Sequence, residues 1–365
     1  MNATLLKERA QSAAARLANA DSPPIRNAWY VAAMSSEVGR ELLERTLLER
    51  SVVLFRKQDG TAVAMQNRCA HRSFPLSNGS LEGDRLVCGY HGFAYEADGR
   101  CSHVPSQDIE PRNICVKSYP VIERGSFVWI WMGAPDEADP CLLPNFEWMV
   151  SDAWKRSFIY MKLAGSYVHL HENILDLSHL SYLHMGSSFG TKEHATTRPV
   201  VSINDRQIEI WRDVECRLPP MLGEPLGWAG QRGIRRSGTE WISPAMVMNT
   251  VELTNLEFPE QNPPSVPTGK IAHLITPETG TSLHYFVTFN RNYVPDVEGV
   301  TEFIRNAQYK ALQEDAFAMQ RIQEVASVDS DPDFFEVDVA ADQAGIAMRK
   351  RLKQLIDLEQ GMERA

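Results

Sequence analysis

The chain has 365 residues, 43% of them hydrophobic and 23% charged, with a formal net charge of −10. That length accommodates two domains with a core each. The composition excludes a disordered chain, no apolar run approaches the roughly 18–20 residues of a membrane span, and the acidic balance disfavours nucleic acid as a partner.

Residues 1–24 read as a leader. The stretch 1–21 carries Lys7, Glu8, Arg9 and Arg16 without an apolar run, so it is no secretory signal and reads as a frayed, Ala-rich tail. The first half is then a series of short strands. Residues 51–56 and 61–65 form a hairpin about Asp59-Gly60, a strong turn signal. Similar runs follow at 85–88, 93–96 and 127–132, with a further turn at Asp98-Gly99. This pattern indicates a small antiparallel β domain. The polar, Pro-containing stretch 134–140 has linker chemistry. Beyond it, helical spacing at 168–183 and 300–325 brackets strand-like runs at 207–211 and 283–289. The second half is therefore α+β. Cys101, Cys115, Cys141 and Cys216 show no disulfide-framework spacing, which points to a reducing cytoplasm.

Cys69-Ala70-His71 and Cys88-Gly89-Tyr90-His91 form two hooks separated by sixteen residues. Each hook carries one thiol and one imidazole, which suits a [2Fe–2S] cluster with two thiolates on one iron and two imidazoles on the other. Neutral imidazoles leave less negative charge on the cluster, so its potential rises from about −400 mV toward roughly −150 to +300 mV. Zinc is the competing reading, but a Cys2His2 finger keeps its cysteines in one hook and its histidines in the other. The Tyr95 hydroxyl is placed to tune the sulfurs. Arg68, Arg72, Arg112, Lys117 and Arg124 fall in this half, either as a docking patch for an acidic electron donor or as scattered surface charge.

Asn173, Asp176 and His179 recur at intervals of three, which on a helix keeps them broadly on one side. His184 lies five beyond His179, about 140° away on a straight helix. If both bind one ion the helix must distort or end between them, and a π-bulge suits such a place. Two histidines and a carboxylate with open positions make the facial site of ferrous oxygenases. The third ligand must come from elsewhere, with Asp315 and its neighbour Glu314 as the candidates. Apolar residues at Ala311, Leu312, Ala318, Met319 and Ile322 fit a helix packed on the core. His169 and His171 fall outside the pattern and read as structural.

These hooks, with residues 26–33, 173–184, 273–279, His284-Tyr285-Phe286 and Glu314-Asp315, resemble the Rieske non-haem iron oxygenases. The branch is that of vanillate and dicamba O-demethylases and phthalate-type oxygenases. The resemblance implies a Rieske domain over 25–134 and a helix-grip (START-like) catalytic domain over 145–360. It selects Asp315 as the carboxylate ligand of mononuclear Fe(II) beside His179 and His184. It makes Asp176 the acid that links a metal histidine to a cluster histidine across subunits of a head-to-tail homotrimer. It implies electrons from NAD(P)H through a flavin reductase, with or without a ferredoxin, and O2 and a small aromatic substrate. The reaction implied is O-demethylation or monooxygenation, with ring cis-dihydroxylation as the alternative.

His273 and Asn249 are candidates to hold an acidic or phenolic substrate, against the plain reading of satisfied buried polar residues. Met221, Trp228, Trp241 and Met248 are candidate pocket walls. Two features depart from the branch: the leader is longer, and residues 186–264, expected to line the pocket, match poorly. A bare electron carrier and a ligand-binding module without turnover are the readings from other classes. The 173–184 constellation argues against the carrier, which would not need so large a second half.

Overall fold

The computed structural model describes residues 15–362 apart from 110, 145, 146, 186, 188, 205, 206, 330, 332, 333 and 335. Two compact units emerge. One is Arg26–Pro144 together with Thr276–Thr279, and the other holds the remaining described residues.

The first unit is built from eleven strands: β1 (Trp29–Met34), β2 (Leu43–Leu47), β3 (Arg50–Arg56), β4 (Ala62–Gln66), β5 (Ser80–Glu82), β6 (Arg85–Val87), β7 (Ala94–Tyr95), β8 (Cys101–His103), β9 (Ser118–Tyr119), β10 (Val121–Arg124) and β11 (Phe127–Trp131). They form three antiparallel sheets, ordered β1-β11-β10, β2-β3-β4-β9 and β5-β6-β7-β8. β11 reads Phe-Val-Trp-Ile-Trp and is buried throughout, as a strand covered on both faces must be. Trp131 meets Trp29 edge to face at 5.6 Å. Thr276 donates from Oγ1 to the Val31 carbonyl at 2.8 Å, and the Leu48 amide donates to Pro277 at 2.7 Å. β5 to β8 carry the Cys88 hook on their connections, and the Cys69 hook follows β4. Both are set in a core of Val53, Phe55, Leu76, Leu86 and Tyr95.

The second unit is a seven-stranded antiparallel sheet gripped by helices. Its strands are β12 (Lys155–Ala164), β13 (Val200–Ile203), β14 (Ile208–Arg217), β15 (Arg232–Ser243), β16 (Met246–Asn255), β17 (Thr268–Thr279) and β18 (Ser282–Arg291). They are ordered β12-β18-β17-β16-β15-β14-β13. Burial along β14 alternates strictly, with Ile208, Ile210, Arg212, Val214 and Cys216 inward, the period-two signature of a sheet with one covered face. Three helices matter: α1 (Tyr167–Leu175), α2 (Val300–Val328) and α3 (Gln343–Met362). α2 packs on β12, and α1 packs on α3, β15 and β16. The inward face of α2 is Ile304, Gln308, Ala311, Leu312, Asp315 and Met319, spaced by threes and fours as one helical stripe. Ile322, expected on that stripe, is exposed.

Two expectations are corrected. Residues 168–183 are not one helix. Ser166 caps α1 by accepting from the Val168 amide, and α1 ends at Leu175. Asp176 adopts φ −107° and ψ 96°, and a separate 3-10 turn, Leu177–Ser181, follows. The break thus precedes His179, and no π-bulge is needed. The expected tail is also partly anchored. The Arg349 Nε donates to the Ala18 carbonyl at 2.7 Å, Ser166 Oγ to Ala20 at 3.0 Å and the Tyr167 hydroxyl to Pro23 at 3.1 Å. Residues 1–14 of that expectation lie outside the described residues.

Candidate metal centres

The two Cys/His hooks share one backbone design. The Cys69 amide donates to the Phe74 carbonyl and the Ser73 amide to the Cys69 carbonyl, at 2.9 and 3.0 Å. In the second loop Cys88 pairs with Phe93 and Gly92 with Cys88, at 2.8 and 3.0 Å. Each fifth residue, Ser73 and Gly92, has a left-handed φ, 58° and 72°. The histidines sit at different offsets on this shared frame, third in one hook and fourth in the other. A Cβ on Gly89 would lie 2.5 Å from the Asn78 carbonyl oxygen, so only glycine lets the second loop approach there.

Cys69 and Cys88 are 3% and 2% exposed, whereas His71 and His91 are exposed with ring centroids 4.6 Å apart. A buried thiol pair and an exposed imidazole pair fit a [2Fe–2S] cluster whose histidine-bound iron faces outward. Burial pushes the Cys88 thiol up, with the adjacent Cys69 adding to it, and iron binding would discharge that cost by replacing the protons. Ala70 donates its amide to the Tyr95 oxygen at 3.1 Å, and Tyr95 Oη lies 3.2 Å from Cys69 Sγ; with Cys69 a thiolate on iron, the hydroxyl is the donor of that contact. A donor to sulfur favours the more negative, reduced cluster. Tyr95→Phe should therefore lower the reduction potential by on the order of 50 mV, one weak hydrogen bond for a one-electron couple; protein-film voltammetry measures it. Arg68, Arg72, Arg112, Lys117 and Arg124 are all exposed.

In the second unit, His179 and His184 are each held by Nδ1. His179 donates to the Asp176 carbonyl at 2.5 Å and His184 to Glu314 Oε2 at 2.7 Å. That turns both Nε2 atoms toward Asp315 Oδ1, at 3.6 and 3.2 Å. Asn173 Nδ2 donates to the same oxygen at 3.3 Å. The three ligand atoms lie within 4.8 Å of one another. Neighbouring ligands of a six-coordinate ion with ~2.1 Å bonds stand roughly 3 Å apart, so the donor set fits a facial triad. Glu314 sits on the far nitrogen of His184, the outer-shell place that orients a metal histidine. Burial lowers His179. It also pulls on His184, but the hydrogen bonds and charges of Asp315 and Glu314 outweigh it and His184 ends raised. A Cβ on Gly190 would collide with the carbonyls of His184 and Leu180, so glycine permits the chain after His184 to fold back over the turn.

Asp176 does not join this triad. Its carboxylate accepts from the Ser178 amide at 2.9 Å, the Ser178 hydroxyl at 2.6 Å and Arg212 Nη2 at 3.3 Å. It borders a 270 Å³ surface cavity. Arg212 is buried, and among the described residues its Nε and Nη1 have no partner. On β15, buried Arg235 donates to the Phe189 carbonyl at 2.9 Å and lies over its ring at 4.3 Å. Two sheet arginines thus hold the segment bearing the histidines, one before His179 and one after His184.

The triad opens on a cavity of about 60 Å³. Phe189, Met221, Ile174, Leu177 and Ile271 supply its apolar wall, and Asn249, His273, Tyr285 and Gln308 its polar groups. Asn249 Oδ1, His273 Nε2 and Gln308 Oε1 are buried without partners among the described residues. Of the expected walls only Met221 lines the cavity. Trp228 packs in a separate core with Leu218, Leu222, Val251 and Leu253, and Trp241 stacks edge-on to His171. His171 is buried with Nε2 toward the Pro244 carbonyl at 3.0 Å, in keeping with a structural histidine. The expectations missed Tyr285 and Gln308 as cavity residues, and Arg212 altogether. Gln308 was within reach of sequence, since it lies seven residues before Asp315 on the same helical face.

A cluster-binding β unit joined in one chain to a helix-grip unit with a two-histidine, one-carboxylate triad defines a terminal oxygenase. Comparison with known proteins agrees. The Rieske [2Fe-2S] domain family matches residues 28–120, and the vanillate O-demethylase oxygenase C-terminal domain family matches 163–358. The toluene-4-sulfonate monooxygenase system iron-sulfur subunit of Comamonas testosteroni is 34% identical, over 92% of this chain and 98% of its own. The dicamba O-demethylase oxygenase component of Stenotrophomonas maltophilia is 30% identical, over 92% and 98%. A crystal structure of dicamba monooxygenase bound to 3,6-dichlorosalicylic acid superposes with a TM-score of 0.86 at 28% identity, covering 93% of this chain and 99% of that one. Another, with non-haem iron and dicamba, gives 0.79 at 27% identity, over 93% and 100%. This chain belongs to the Rieske non-haem iron oxygenases of the vanillate O-demethylase type. It is thus an oxidoreductase with a Rieske [2Fe–2S] cluster and a mononuclear iron.

Proposed function

We propose that the protein is the terminal component of a multicomponent system that oxidises an aromatic acid, most directly by O-demethylation. Electrons come from NAD(P)H through a separate reductase, with or without a ferredoxin. Arg68, Arg72, Arg112, Lys117 and Arg124 are each exposed and offer an acidic donor charges of opposite sign. Cys69, Cys88, His71 and His91 hold the cluster, and His179, His184 and Asp315 hold the iron. Asp176 links the two metals between neighbouring subunits of a homotrimer. The unpaired cysteines accord with the cytoplasm. Among the described residues no helix is long and apolar enough to cross a membrane.

When bound, the cluster supplies electrons and the iron activates O2. The chain itself does the rest. Phe189, Met221, Ile174 and Leu177 exclude water and receive the ring, while Asn249 and His273 take an acidic substituent at the sheet end of the cavity. Asn173 steadies Asp315, and Glu314 steadies His184. A methoxy group held at the triad end loses a C–H to oxygenation and becomes a hemiacetal, which breaks to formaldehyde and a phenol. The balance is ArOCH3, O2, two electrons and two protons giving ArOH, HCHO and H2O.

The observation that carries this reading is the convergence of both Nε2 atoms on Asp315 in the lining of a cavity that also holds buried polar atoms without partners among the described residues. The test supplies a generic reductase and NADH, screens methoxylated, carboxylated and sulfonated aromatics, and assays formaldehyde. Formaldehyde equal to substrate consumed is expected. A cis-diol without formaldehyde would establish ring dihydroxylation instead.

A further inference from the structure

One wall of the cavity is a helix face whose polarity changes along its length. The inward stripe of α2 is Ile304, Gln308, Ala311, Leu312, Asp315 and Met319, and Gln308, Ala311, Leu312 and Asp315 of that stripe line the cavity. This wall is polar at both ends and apolar between. Seven residues separate Gln308 from Asp315, which puts them on one helical face two turns, or about 10 Å, apart.

The two polar ends differ in what they meet. Asp315 Oδ1 faces His179 Nε2, His184 Nε2 and Asn173 Nδ2 at 3.6, 3.2 and 3.3 Å. Gln308 is 5% exposed, and its Oε1 has no partner among the described residues. Leucine or methionine would fill that place and keep the helix as well as glutamine does. Glutamine there leaves a buried acceptor unmade, which costs stability until a ligand completes it. Asp315 is accounted for by the iron. Gln308 is the polar residue of the stripe that the iron does not explain.

We propose that Gln308 is a specificity-determining residue that hydrogen-bonds a phenolic hydroxyl on the part of the substrate ring remote from the iron, so that the preferred substrate is a methoxylated aromatic acid carrying that hydroxyl. This deepens the function proposed above and rests on it. The reacting methoxy group lies at the Asp315 end, the ring edge against Ala311 and Leu312, and the hydroxyl at the Gln308 end. The acid is already placed on the sheet wall, by Asn249 and His273, so the helix wall reads a different substituent.

The choice of hydroxyl follows from the amide. A glutamine can present its oxygen or its NH2 by turning over. A hydroxyl both donates and accepts, so it completes either end, whereas a methyl group completes neither. The two-turn separation adds a positional rule. A hydroxyl next to the methoxy group on the ring stays at the iron end, and one meta or para to it points along α2 toward Gln308.

The test uses the holoenzyme with reductase and NADH, and reads formaldehyde. Its probes are methoxybenzoates with a hydroxyl meta or para to the methoxy group, each against the counterpart bearing methyl in place of that hydroxyl. The paired probes match in size and differ in the hydrogen bond. The wild type should favour at least one hydroxyl isomer by about tenfold in kcat/KM, because a site built to bond a hydroxyl discriminates strongly against the analogue that lacks it. Gln308→Met, unbranched like glutamine, should bring that ratio to within about twofold of one, by lowering kcat/KM for the hydroxyl probe alone. If Gln308→Met does not fold, Gln308→Leu carries the same comparison. A preference that survives the substitution, or equal losses on both probes, overturns the proposal. A wild type that demethylates both probes without preference also overturns it and leaves the demethylase reading standing. A wild type that releases formaldehyde from neither overturns that reading, and the proposal with it.

Discussion

Replacing His179 by alanine should leave the visible spectrum of the cluster intact while abolishing mononuclear iron and turnover. His179 lies in the second unit and the cluster hooks in the first, with its own core, so loss of one ligand set should not propagate to the other. Outer-shell changes alone typically cost 10–100-fold in metal affinity or activity, and removing one of the three proposed ligands should cost at least about 100-fold. Glu314→Gln provides the graded comparison. It keeps the shape beside His184 Nδ1 but weakens the charge-assisted hydrogen bond of 2.7 Å, and should fall in the ~10–100-fold range. Iron analysis alongside absorbance and the cluster's EPR signal reads all three states. Full turnover by His179→Ala would remove the triad from the chemistry.

The parts of this site that show in the sequence are those made of scarce residue types. Thiols and imidazoles in two short hooks admit few chemistries, and the histidines at 179 and 184 stand out for the same reason. What does not show is backbone. Asn173, Asp176 and His179 at intervals of three look like a helical face, yet Asp176 ends α1 and caps the next turn through Ser178. A local side-chain bond that competes with the helix is cheap for aspartate, and spacing does not register it. The matched loops are similarly hidden, because one of their two left-handed residues is Ser73, not glycine.

Long-range pairs are hidden for a different reason. Arg212 and Asp176 are far apart in sequence, and nothing in either neighbourhood signals a shared ion pair. The candidate walls divided on the same ground. Met221 faces the cavity while Trp228 fills another cluster, a matter of which face of a strand or turn looks where. The strand run at 207–211 overlaps β14 in all but Gln207, the run at 283–289 fell inside β18, and the helix at 300–325 fell inside α2. Periodicity reports such long elements well and their ends poorly.

Asp176→Asn should retain both metals yet slow electron delivery to the iron by at least about 100-fold if the carboxylate joins the centres. Stopped-flow absorbance, following reoxidation of a pre-reduced cluster by O2 with substrate bound, measures that step in a single turnover. The difficulty is Arg212. Its guanidinium is buried, and Asp176 is the anion it meets, at 3.3 Å. Removing the carboxylate charge leaves a buried cation uncompensated, which costs up to about 3–5 kcal/mol in a fully buried pair and less here, where Asp176 is partly exposed. A slow Asp176→Asn enzyme could then reflect a displaced turn and not a lost electron route. Arg212→Met separates the two, because it removes the cation and keeps the carboxylate on its two Ser178 bonds. A bridging role predicts rapid reoxidation in Arg212→Met and slow reoxidation in both Asp176→Asn and the double variant. A purely architectural role predicts the reverse for the double variant, where removal of cation and anion together restores balance and rate. Wild-type reoxidation in Asp176→Asn alone would end the case for Asp176 as the connection between cluster and iron.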